Sequence, residues 1–449
     1  MDRERLRSLI SDEREKFARE HPRSRSLFEA ASRNLLAGVP MSWMAKWPGG
    51  NPIFAADASG ARITDVDGIT YVDLCLGDTG AMAGHAPEAT AAAVTGRYRR
   101  GATMMLPTED SIWVAGELEQ RFGLPLWQLT LSATDANRFA IRFARQITGR
   151  RKILVFSRCY HGTVDEAFIV VGPDGRPVSR EGNVGPPVDP AETSAVVEFN
   201  DADALERVLR EEEIACVMTE PALTNIGIVL PHPGFHEALR ELTQATGTLL
   251  LIDETHTFSA GPGGYTAVHG LEPDLLTIGK AIAGGVPAGA FGMSHEVGER
   301  VISQSDADYE DVGGVGGTLA GNALSAAAIR ATLEDVLTSD AFERMIELAG
   351  RFTEGVQRTI DRHGLPWHVV QLGARAEYAF LPEPPANGGE AAAGADPDLD
   401  EYLHLFLLNR GVLITPFHNM ALISPCTEPA DVDRHTEVFS EACARLVAT

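Results

Sequence analysis

The chain has 449 residues, and its 38 Lys and Arg against 63 Asp and Glu give a formal net charge of −25. Such an acidic chain is a poor ligand for nucleic acid, because phosphate backbones are bound through Lys and Arg. The hydrophobic fraction of 44% indicates a globular protein rather than a disordered one. At roughly 100–200 residues per domain, the length predicts two to four domains.

The sequence carries no pattern of a secretory leader or a membrane helix. The amino terminus is charged, and no stretch reaches the ~18 consecutive apolar residues that a membrane helix needs. The five cysteines lie far apart and are odd in number, so neither a disulfide framework nor a zinc site is expected. These features predict a protein of the reducing cytoplasm without a bound metal.

The first 60 residues are predicted to form an amino-terminal segment with a broken helix. Apolar residues recur at helical spacing from Leu6 to Phe17, and His21 followed by Pro22 predicts the break. Residues 61–73 read as two strands around an Asp-Gly turn.

Residues 110–300 alternate between helical patterns and short apolar runs. Phe139, Phe143 and Ile147 recur at helical spacing, and apolar runs lie at 153–156, 215–218, 249–252 and 275–278. Continuous apolar strands separated by helices predict an α/β fold, with a mostly parallel sheet covered by helices. Ligands of such sheets bind at the carboxyl ends of the strands.

A long Ala-rich helix is predicted to begin near Asn322 and to lead out of the large domain. The rest of the chain has the pattern of a smaller α+β domain, in which the Pro-, Gly- and Ala-rich residues 381–398 predict a surface loop. The predicted organisation is an amino-terminal segment at 1–60, a large domain at 61–325 and a small carboxyl-terminal domain at 326–449.

Two strand ends carry unusual polar side chains. Asp253 ends an apolar run, and a buried carboxylate requires a cation or a strong donor. Side-chain alternation places Thr255 on the same face and turns Glu254 and His256 the other way. Lys280 follows the next apolar run and precedes a Gly-rich turn, where partial burial favours the neutral amine. A neutral amine is what a Schiff-base lysine needs.

A third element, at residues 131–137, joins small and hydroxylated residues to a helix start. Backbone N–H groups and hydroxyls at such a position bind anions. The three elements together offer a phosphate cradle, an acid for a ring nitrogen and an amine for an aldehyde. Those are the binding needs of pyridoxal 5′-phosphate (PLP).

With these motifs in order, the chain from about Gly38 onward resembles the class III aminotransferases of PLP fold type I. It is most similar to the glutamate-1-semialdehyde 2,1-aminomutase branch of that family. Asp253 and Lys280 match the strand-end Asp and the Schiff-base Lys, and Lys280 follows at the expected spacing of 27 residues. Tyr160 and His161 match the motif whose aromatic ring stacks on the cofactor.

Two further segments carry the resemblance. Residues 220–227 resemble the segment whose Asn, here Asn225, reaches the phenolic oxygen of PLP. Residues 316–322 resemble the segment whose Thr, here Thr318, binds the phosphate across a dimer interface. The resemblance therefore implies a large PLP-binding domain, a small α+β domain and a homodimer with shared active sites.

The resemblance also implies residue roles. Lys280 would bind PLP as a Schiff base and then act as general base and acid. Asp253 would keep the pyridine nitrogen protonated, and Tyr160 would stack on the ring, which completes the predicted catalytic set. The predicted cofactor-binding residues are Ser132, Ala133, Thr134, Tyr160, His161, Glu220, Asn225, Asp253, Thr255, Lys280 and Thr318.

The substrate end of the site departs from the family pattern. Ser259 and Ala260 stand where many members have Phe-Arg, and residues 416–420 lack the acidic residue of the aminomutases. Arg375 is a charged residue in strand context, and its planar fork suits a carboxylate. The predicted substrate contacts are Trp43, Asp78 and Arg375.

The sequence therefore predicts a PLP-dependent aminotransferase that moves an amino group between an amino acid or amine and a keto acid or aldehyde. A glutamate-1-semialdehyde-type aminomutase and a PLP-dependent racemase or lyase remain open alternatives. The acidic balance and the presence of both Lys280 and Asp253 count against a protein that only binds or regulates. The expected partners are small molecules and a second copy of the chain, with neither nucleic acid nor membrane.

Overall fold

The computed structural model describes residues 2–304 and 313–448. The chain divides into two compact units. The large unit consists of Glu88–Ser339 and Pro385–Ala393. The small unit consists of the chain up to Pro87, Asp340–Pro384 and the chain from Gly394 onward.

The α-helices of the described residues run through both units. They are α1 Arg3–Glu20, α2 Pro22–Ala31, α3 Glu88–Tyr98, α4 Glu109–Phe122, α5 Ala133–Thr148, α6 Pro190–Thr193, α7 Ala202–Glu211, α8 Phe235–Thr246, α9 Gly264–His269, α10 His295–Gln304, α11 Ala323–Asp335, α12 Ser339–His363, α13 Gly388–Ala393, α14 Pro397–Leu408 and α15 Pro429–Val447. Within the part of the chain that the structure describes, none of these helices is long and apolar enough to cross a membrane.

The strands are mostly short. They are β1 Ala55–Ser59, β2 Arg62–Asp65, β3 Thr70–Asp73, β4 Leu126–Thr130, β5 Lys152–Phe156, β6 Ile169–Val171, β7 Pro177–Ser179, β8 Ser194–Val197, β9 Ile214–Thr219, β10 Leu249–Asp253, β11 Leu275–Ile278, β12 Gly289–Met293, β13 His368–Leu372, β14 Arg375–Ala379, β15 Val412–Leu413 and β16 Met420–Leu422.

The main sheet of the large unit has seven strands in the order β4-β12-β11-β10-β9-β5-β8. Strands β8, β5, β9, β10 and β11 run parallel, whereas β12 is antiparallel to both of its neighbours. The four predicted apolar runs are the buried strands β5, β9, β10 and β11. The predicted α/β fold with a mostly parallel sheet is confirmed.

Helix α5 shows how local sequence sets an element that positions the site. Ser132 caps its amino terminus by accepting a hydrogen bond from the Asp135 backbone N–H, and Gly149 ends it in the left-handed conformation. Ala140 and Ile147 are buried on the face that packs into the core of the large unit. The helix therefore presents its first turn at a defined place beside the sheet.

The small unit contains two sheets, in the orders β1-β2-β3-β15 and β13-β14-β16. The predicted break at His21 and Pro22 separates α1 from α2, and the predicted pair of strands around the Asp-Gly turn is β2 and β3. Phe17 and Tyr71 form a buried cluster with leucines that follow residue 400.

Two features differ from the sequence analysis. Residues 61–87 group with the small unit, because β3 pairs in parallel with β15, and residues 326–339 group with the large unit. The predicted surface loop at 381–398 was wrong in part, since it contains the short helix α13. The Asn387 side chain accepts a hydrogen bond from the Glu390 backbone N–H, which stabilises the start of α13. The Pro-, Gly- and Ala-rich composition of the segment gave no sign of this contact.

Candidate active site

The carboxyl ends of β10 and β11 bring the predicted Asp and Lys to one edge of the main sheet. The two strands are parallel, and Asp253 lies opposite Thr277 in their register. Lys280 has a φ of 47°, in the left-handed region that side chains rarely adopt. Gly279 before it must be small, because a Cβ there would lie 2.9 Å from the Ala133 backbone nitrogen. The turn after β11 is thus pressed against the start of α5.

Asp253 is the buried acceptor of a polar network. Its Oδ2 accepts hydrogen bonds from Asn137 Nδ2 and from His161 Nδ1, both at 2.9 Å. Its Oδ1 accepts one from the Thr255 backbone N–H at 3.0 Å. Thr277 in turn donates to Asn137 Oδ1 at 2.6 Å, which fixes the orientation of the amide. A carboxylate oxygen can accept two hydrogen bonds, so Oδ1 can take a further donor.

The network keeps Asp253 ionised. Burial acts to raise the pKa of Asp253, but the hydrogen bond and charge of His161, with Thr255 and Asn137, outweigh it, and the pKa is lowered. Burial acts to lower the pKa of His161, but neighbouring Cys159 and Asp253 raise it well above the ordinary value. The pair is therefore a buried carboxylate beside an imidazolium, ready to hold a protonated ring nitrogen.

The first turn of α5 offers an anion site beside this network. The first backbone N–H groups of an α-helix have no carbonyl partner within the helix, because no helical turn precedes them. They can therefore bind an anion. Thr134 Oγ1 accepts a hydrogen bond from the Thr163 backbone N–H at 3.1 Å. A Cβ at Gly162, whose φ is 76°, would lie 2.0 Å from that hydroxyl, so the chain needs glycine there. The predicted residues Ser132, Ala133 and Thr134 form this turn.

These features fit PLP. The α5 turn suits a phosphate, Asp253 suits a ring N–H, and Lys280 suits an aldehyde. Thr255 adds independent support, because its buried hydroxyl has no hydrogen-bond partner among the described residues. Such an atom is expected where a ligand completes the site.

Three further predicted cofactor residues, Tyr160, Asn225 and Glu220, also lie in the large unit. The ring of Tyr160 stands edge-on to Phe168 at 6.5 Å, and Asn225 Nδ2 donates to the Arg158 carbonyl oxygen at 3.0 Å. Glu220 is buried and accepts a hydrogen bond from the Thr224 hydroxyl, and burial raises its pKa. Their roles toward the cofactor stay predictions.

Thr318 is exposed in the single chain, within the described segment that begins at Gly313. Its predicted role is to bind the phosphate held by a partner subunit. That role, and the homodimer that it requires, stay predictions.

His256 is a site residue that the sequence analysis missed. Its Nε2 lies 2.8 Å from Lys280 Nζ. Strand alternation predicted that the His256 side chain, like that of Glu254, points away from the face of Asp253. However, β10 ends at Asp253, and His256 has helical dihedrals with φ −100° and ψ −37°. The alternation rule therefore does not extend to this residue. A polar residue just past a strand that ends in a predicted site was the signal available in the sequence.

In the small unit, the predicted carboxylate anchor occupies the expected strand. Arg375 begins β14, is 1% exposed and donates to the Thr79 hydroxyl. His418 Nδ1 lies 3.2 Å from Glu377 Oε1. Burial acts to lower the pKa of His418, but Glu377 and Asp78 raise it against the opposing charge of Arg375, and the net direction is upward. Arg375 and Asp78 thus share one cluster of charged groups.

Trp43 belongs to the neighbouring part of the same unit. Its ring stands edge-on to Phe417 at 5.5 Å, and the Lys46 ammonium lies over both rings at 6.0 and 5.2 Å. The three predicted substrate residues therefore lie around the segment that contains Phe417 and His418. Their contact with a substrate stays a prediction.

Comparison with known sequences places the chain among PLP enzymes. The profile described as "Aminotransferase class-III" matches residues 44–442. A glutamate-1-semialdehyde 2,1-aminomutase of Chloroflexus aggregans is 34% identical over 438 residues, covering 95% of this chain and 98% of that protein. A second aminomutase of that name, from Desulfitobacterium hafniense, is also 34% identical and covers 92% of this chain and 95% of that protein.

Solved structures agree at the level of the whole fold. A glutamate-1-semialdehyde-aminomutase from Pseudomonas aeruginosa is 48% identical, with a TM-score of 0.97 and 99% of each chain covered. A variant of that aminomutase was solved in complex with PMP. An omega-transaminase from Sphaerobacter thermophilus is 30% identical, with a TM-score of 0.85 and coverage of 94% of this chain and 97% of that one. The fold is PLP fold type I.

Proposed function

Because the chain belongs to the class III aminotransferase family, whose cofactor is PLP, we propose that it is an aminotransferase. It moves an amino group between an amino acid or amine donor and a keto acid or aldehyde acceptor. The observation that carries the proposal is the convergence of the Lys280 amine and the ionised Asp253 carboxylate at the adjoining ends of β10 and β11. A protein that only binds PLP would need neither a reactive amine nor a charged partner for the ring.

The proposed roles follow from the polar contacts. When bound, PLP supplies an aldehyde carbon and a ring that withdraws electrons. Lys280 Nζ takes up the proton that leaves the substrate carbon and gives it back later. Asp253, kept anionic by His161, holds a proton at the ring nitrogen. The N–H groups at the start of α5 bind the phosphate.

The proposed substrate contacts are Arg375, Asp78 and Trp43. Arg375 is the proposed anchor for a donor carboxylate, since a guanidinium binds a carboxylate through two parallel hydrogen bonds. Asp78 and Trp43 are proposed to line the same part of the site. Arg375 is buried, and its donation to the Thr79 hydroxyl holds the guanidinium in a defined position.

A second candidate function is an aminomutase, which returns the amino group to the same molecule. The specific observation in its favour is the name of the relatives, including the structure that is 48% identical. The sequence departures at Ser259, Ala260 and residues 416–420 weigh against it. Both functions share the first half of the reaction and therefore the same Lys280 and Asp253.

The test is a donor and acceptor panel with purified enzyme and added PLP. A new amino acid formed from an added keto acid, at the expense of a separate donor, supports the aminotransferase. Conversion of glutamate 1-semialdehyde to the isomer with its amino group on the adjacent carbon, with no dependence on an acceptor, supports the aminomutase instead.

Lysine variants provide the control for this test. Lys280→Ala is expected to lose the visible absorption of covalently held cofactor and to lower turnover by at least about 10³-fold, because the general base is gone. Lys152→Ala removes another lysine of the large unit, which pairs with Glu212 at the surface, and should leave both unchanged. An undiminished absorption band in Lys280→Ala would refute the proposal.

A further inference from the structure

His256 and Lys280 occupy equivalent places after neighbouring strands. Asp253 of β10 lies opposite Thr277 of β11, and each of the two residues follows its strand partner by three positions. Their side chains meet with Nε2 and Nζ 2.8 Å apart, and both residues are partly buried. The contact therefore arises from the parallel register of two buried strands.

The backbone on both sides of the contact is held in a defined conformation. His256 has helical dihedrals and leads into the short helical turn Thr257–Ala260. Lys280 has a φ of 47°, and Gly279 before it packs against Ala133. A left-handed non-glycine residue persists only where its surroundings enforce it. The lysine side chain thus leaves the sheet in a fixed direction, toward the imidazole.

The distance defines the chemistry of the pair. At 2.8 Å, one nitrogen must donate a hydrogen atom and the other must accept it. Two protonated groups at this distance would repel, so the contact is favourable when the pair carries at most one positive charge. An amine that donates one N–H to Nε2 keeps its lone pair, which is the electron pair that takes up a proton.

The carboxylates of the same strand end are engaged elsewhere. Asp253 accepts from His161 and Asn137. Glu254 accepts from the Thr266 backbone N–H at 2.5 Å, and burial raises its pKa. The Lys280 amine contacts the His256 imidazole at this edge.

We propose that His256 is a positioning residue for Lys280, whose N–H it accepts through an unprotonated Nε2. The contact orients the amine whenever it is not covalently bound, and it stabilises the ammonium form after the lone pair has taken up a proton. This inference deepens the proposed function and rests on Lys280 being its reactive amine. No atom other than the transferred proton changes place, and the charge of the pair rises from zero to one.

The test follows the titration of the Lys280 amine in full-length protein freed of cofactor. The chain has four lysines, Lys16, Lys46, Lys152 and Lys280, so an amine-reactive label can be quantified at each by peptide mass spectrometry. Labelling is measured across pH in wild type, His256→Leu and His256→Gln, with Lys152 as the internal reference. His232→Leu, at an exposed histidine of the same unit, is the matched control.

Removing the acceptor should destabilise the ammonium. In His256→Leu the pH midpoint of Lys280 labelling is expected to fall by about one unit, a tenfold change in the equilibrium constant. In His256→Gln the amide oxygen can accept the same hydrogen bond, so most of the wild-type midpoint should return. The midpoint of Lys152 should not move in any variant, and His232→Leu should match wild type.

A Lys280 midpoint that stays the same or rises in His256→Leu would overturn the proposal, since the imidazole would then be inert or protonated. Equal change at all four lysines would also overturn it, because that is the mark of a general loss of structure. If His256→Leu does not fold, His256→Met is used in its place, because methionine is similar in size and also lacks the imidazole acceptor. The labelling assay contains no amino donor or acceptor. Its result therefore does not depend on the outcome of the aminotransferase test.

Discussion

Two aspartates, one in each unit, show opposite behaviour of a carboxyl group held away from water. Asp253 in the large unit receives hydrogen bonds from His161, Asn137 and a backbone N–H, and its pKa is lowered. Asp400 in the small unit receives one from Asn419 Nδ2 at 2.8 Å. Burial, with the nearby charges of Asp396 and Glu377, raises the pKa of Asp400 to about 6.

The difference shows that burial alone does not decide the charge of a carboxyl group. In both places burial opposes ionisation, and it is the strongest single influence. At Asp253 a cationic imidazole and several donors reverse its effect, whereas at Asp400 a neutral amide does not. The network of the large unit therefore keeps the Asp253 carboxylate ionised. An ionised carboxylate is what a protonated PLP ring nitrogen requires as its partner.

The largest expected effect comes from breaking the network of the large unit. Asp253→Asn removes the anion beside His161 and the group proposed to hold the ring proton. Turnover should fall by at least about 100-fold, and the free energy of unfolding should fall by about 3 kcal/mol, because a buried ion pair loses one partner. Steady-state kinetics and chemical denaturation at pH 7 measure the two quantities.

Asp433→Asn is the matched control for that variant. Asp433 makes a hydrogen-bonded ion pair with Arg351 at the exposed surface of the small unit. Turnover and stability should both stay near wild type, since exposed ion pairs contribute little. Wild-type turnover in Asp253→Asn would show that the ionised carboxylate of the large unit has no part in the reaction.

The next effect concerns the buried cation of the small unit. Arg375→Leu should raise KM for amino donors with a carboxylate by about 10- to 100-fold, the value of a hydrogen bond to a charged group. Donors without a carboxylate should keep their KM, and Arg375→Lys should recover part of the loss, because it restores the charge but not the planar fork. Equal use of both donor classes by Arg375→Leu would contradict the proposed anchor.

The smallest effect, and one of opposite sign, is expected at Asp400. A carboxyl group whose pKa is raised in the folded state stabilises the fold only while protonated, so its contribution is lost as pH rises from 3.8 through about 6. Asp400→Asn should therefore gain about 1 kcal/mol of unfolding free energy at pH 8, because Asp400 is only partly buried and solvent screens the effect. The gain should vanish at pH 4, where the wild-type group is neutral.

Denaturant unfolding curves at the two pH values measure the Asp400 effect. Asp398→Asn, at an exposed position of the same helix α14, should show no pH-dependent gain. A loss of stability in Asp400→Asn at pH 8 would mean that Asp400 is held as an anion, like Asp253, and would erase the difference between the two units.

Much of the fold could be predicted, because its signals are local and repeated. The apolar runs ending at Ile252 and Ile278 are long enough to indicate buried strands, and the order of strands and helices selects a mostly parallel sheet. The helix α13 was missed, because Gly388 and three alanines give no periodic pattern and its stabilising contact depends on the side chain of Asn387.

Candidate site residues could be chosen from the sequence where residue type and strand-end position coincide. Asp253 and Lys280 meet that condition. Asn137 and His256 do not, because their importance lies in contacts made across 116 and 24 positions of the chain. The alternation of side chains along a strand also predicted the wrong face for His256, because β10 ends at Asp253.

The sequence by itself determined the class of protein: an α/β chain with a lysine, an aspartate and a turn of small and hydroxylated residues near strand ends. Those features follow from local hydrophobicity and from motif spacing, which need no knowledge of distant contacts. The tertiary structure alone decided which side chains surround them. The charge of Asp253, the imidazole at Lys280 and the setting of Arg375 depend on groups that only folding brings within hydrogen-bond distance.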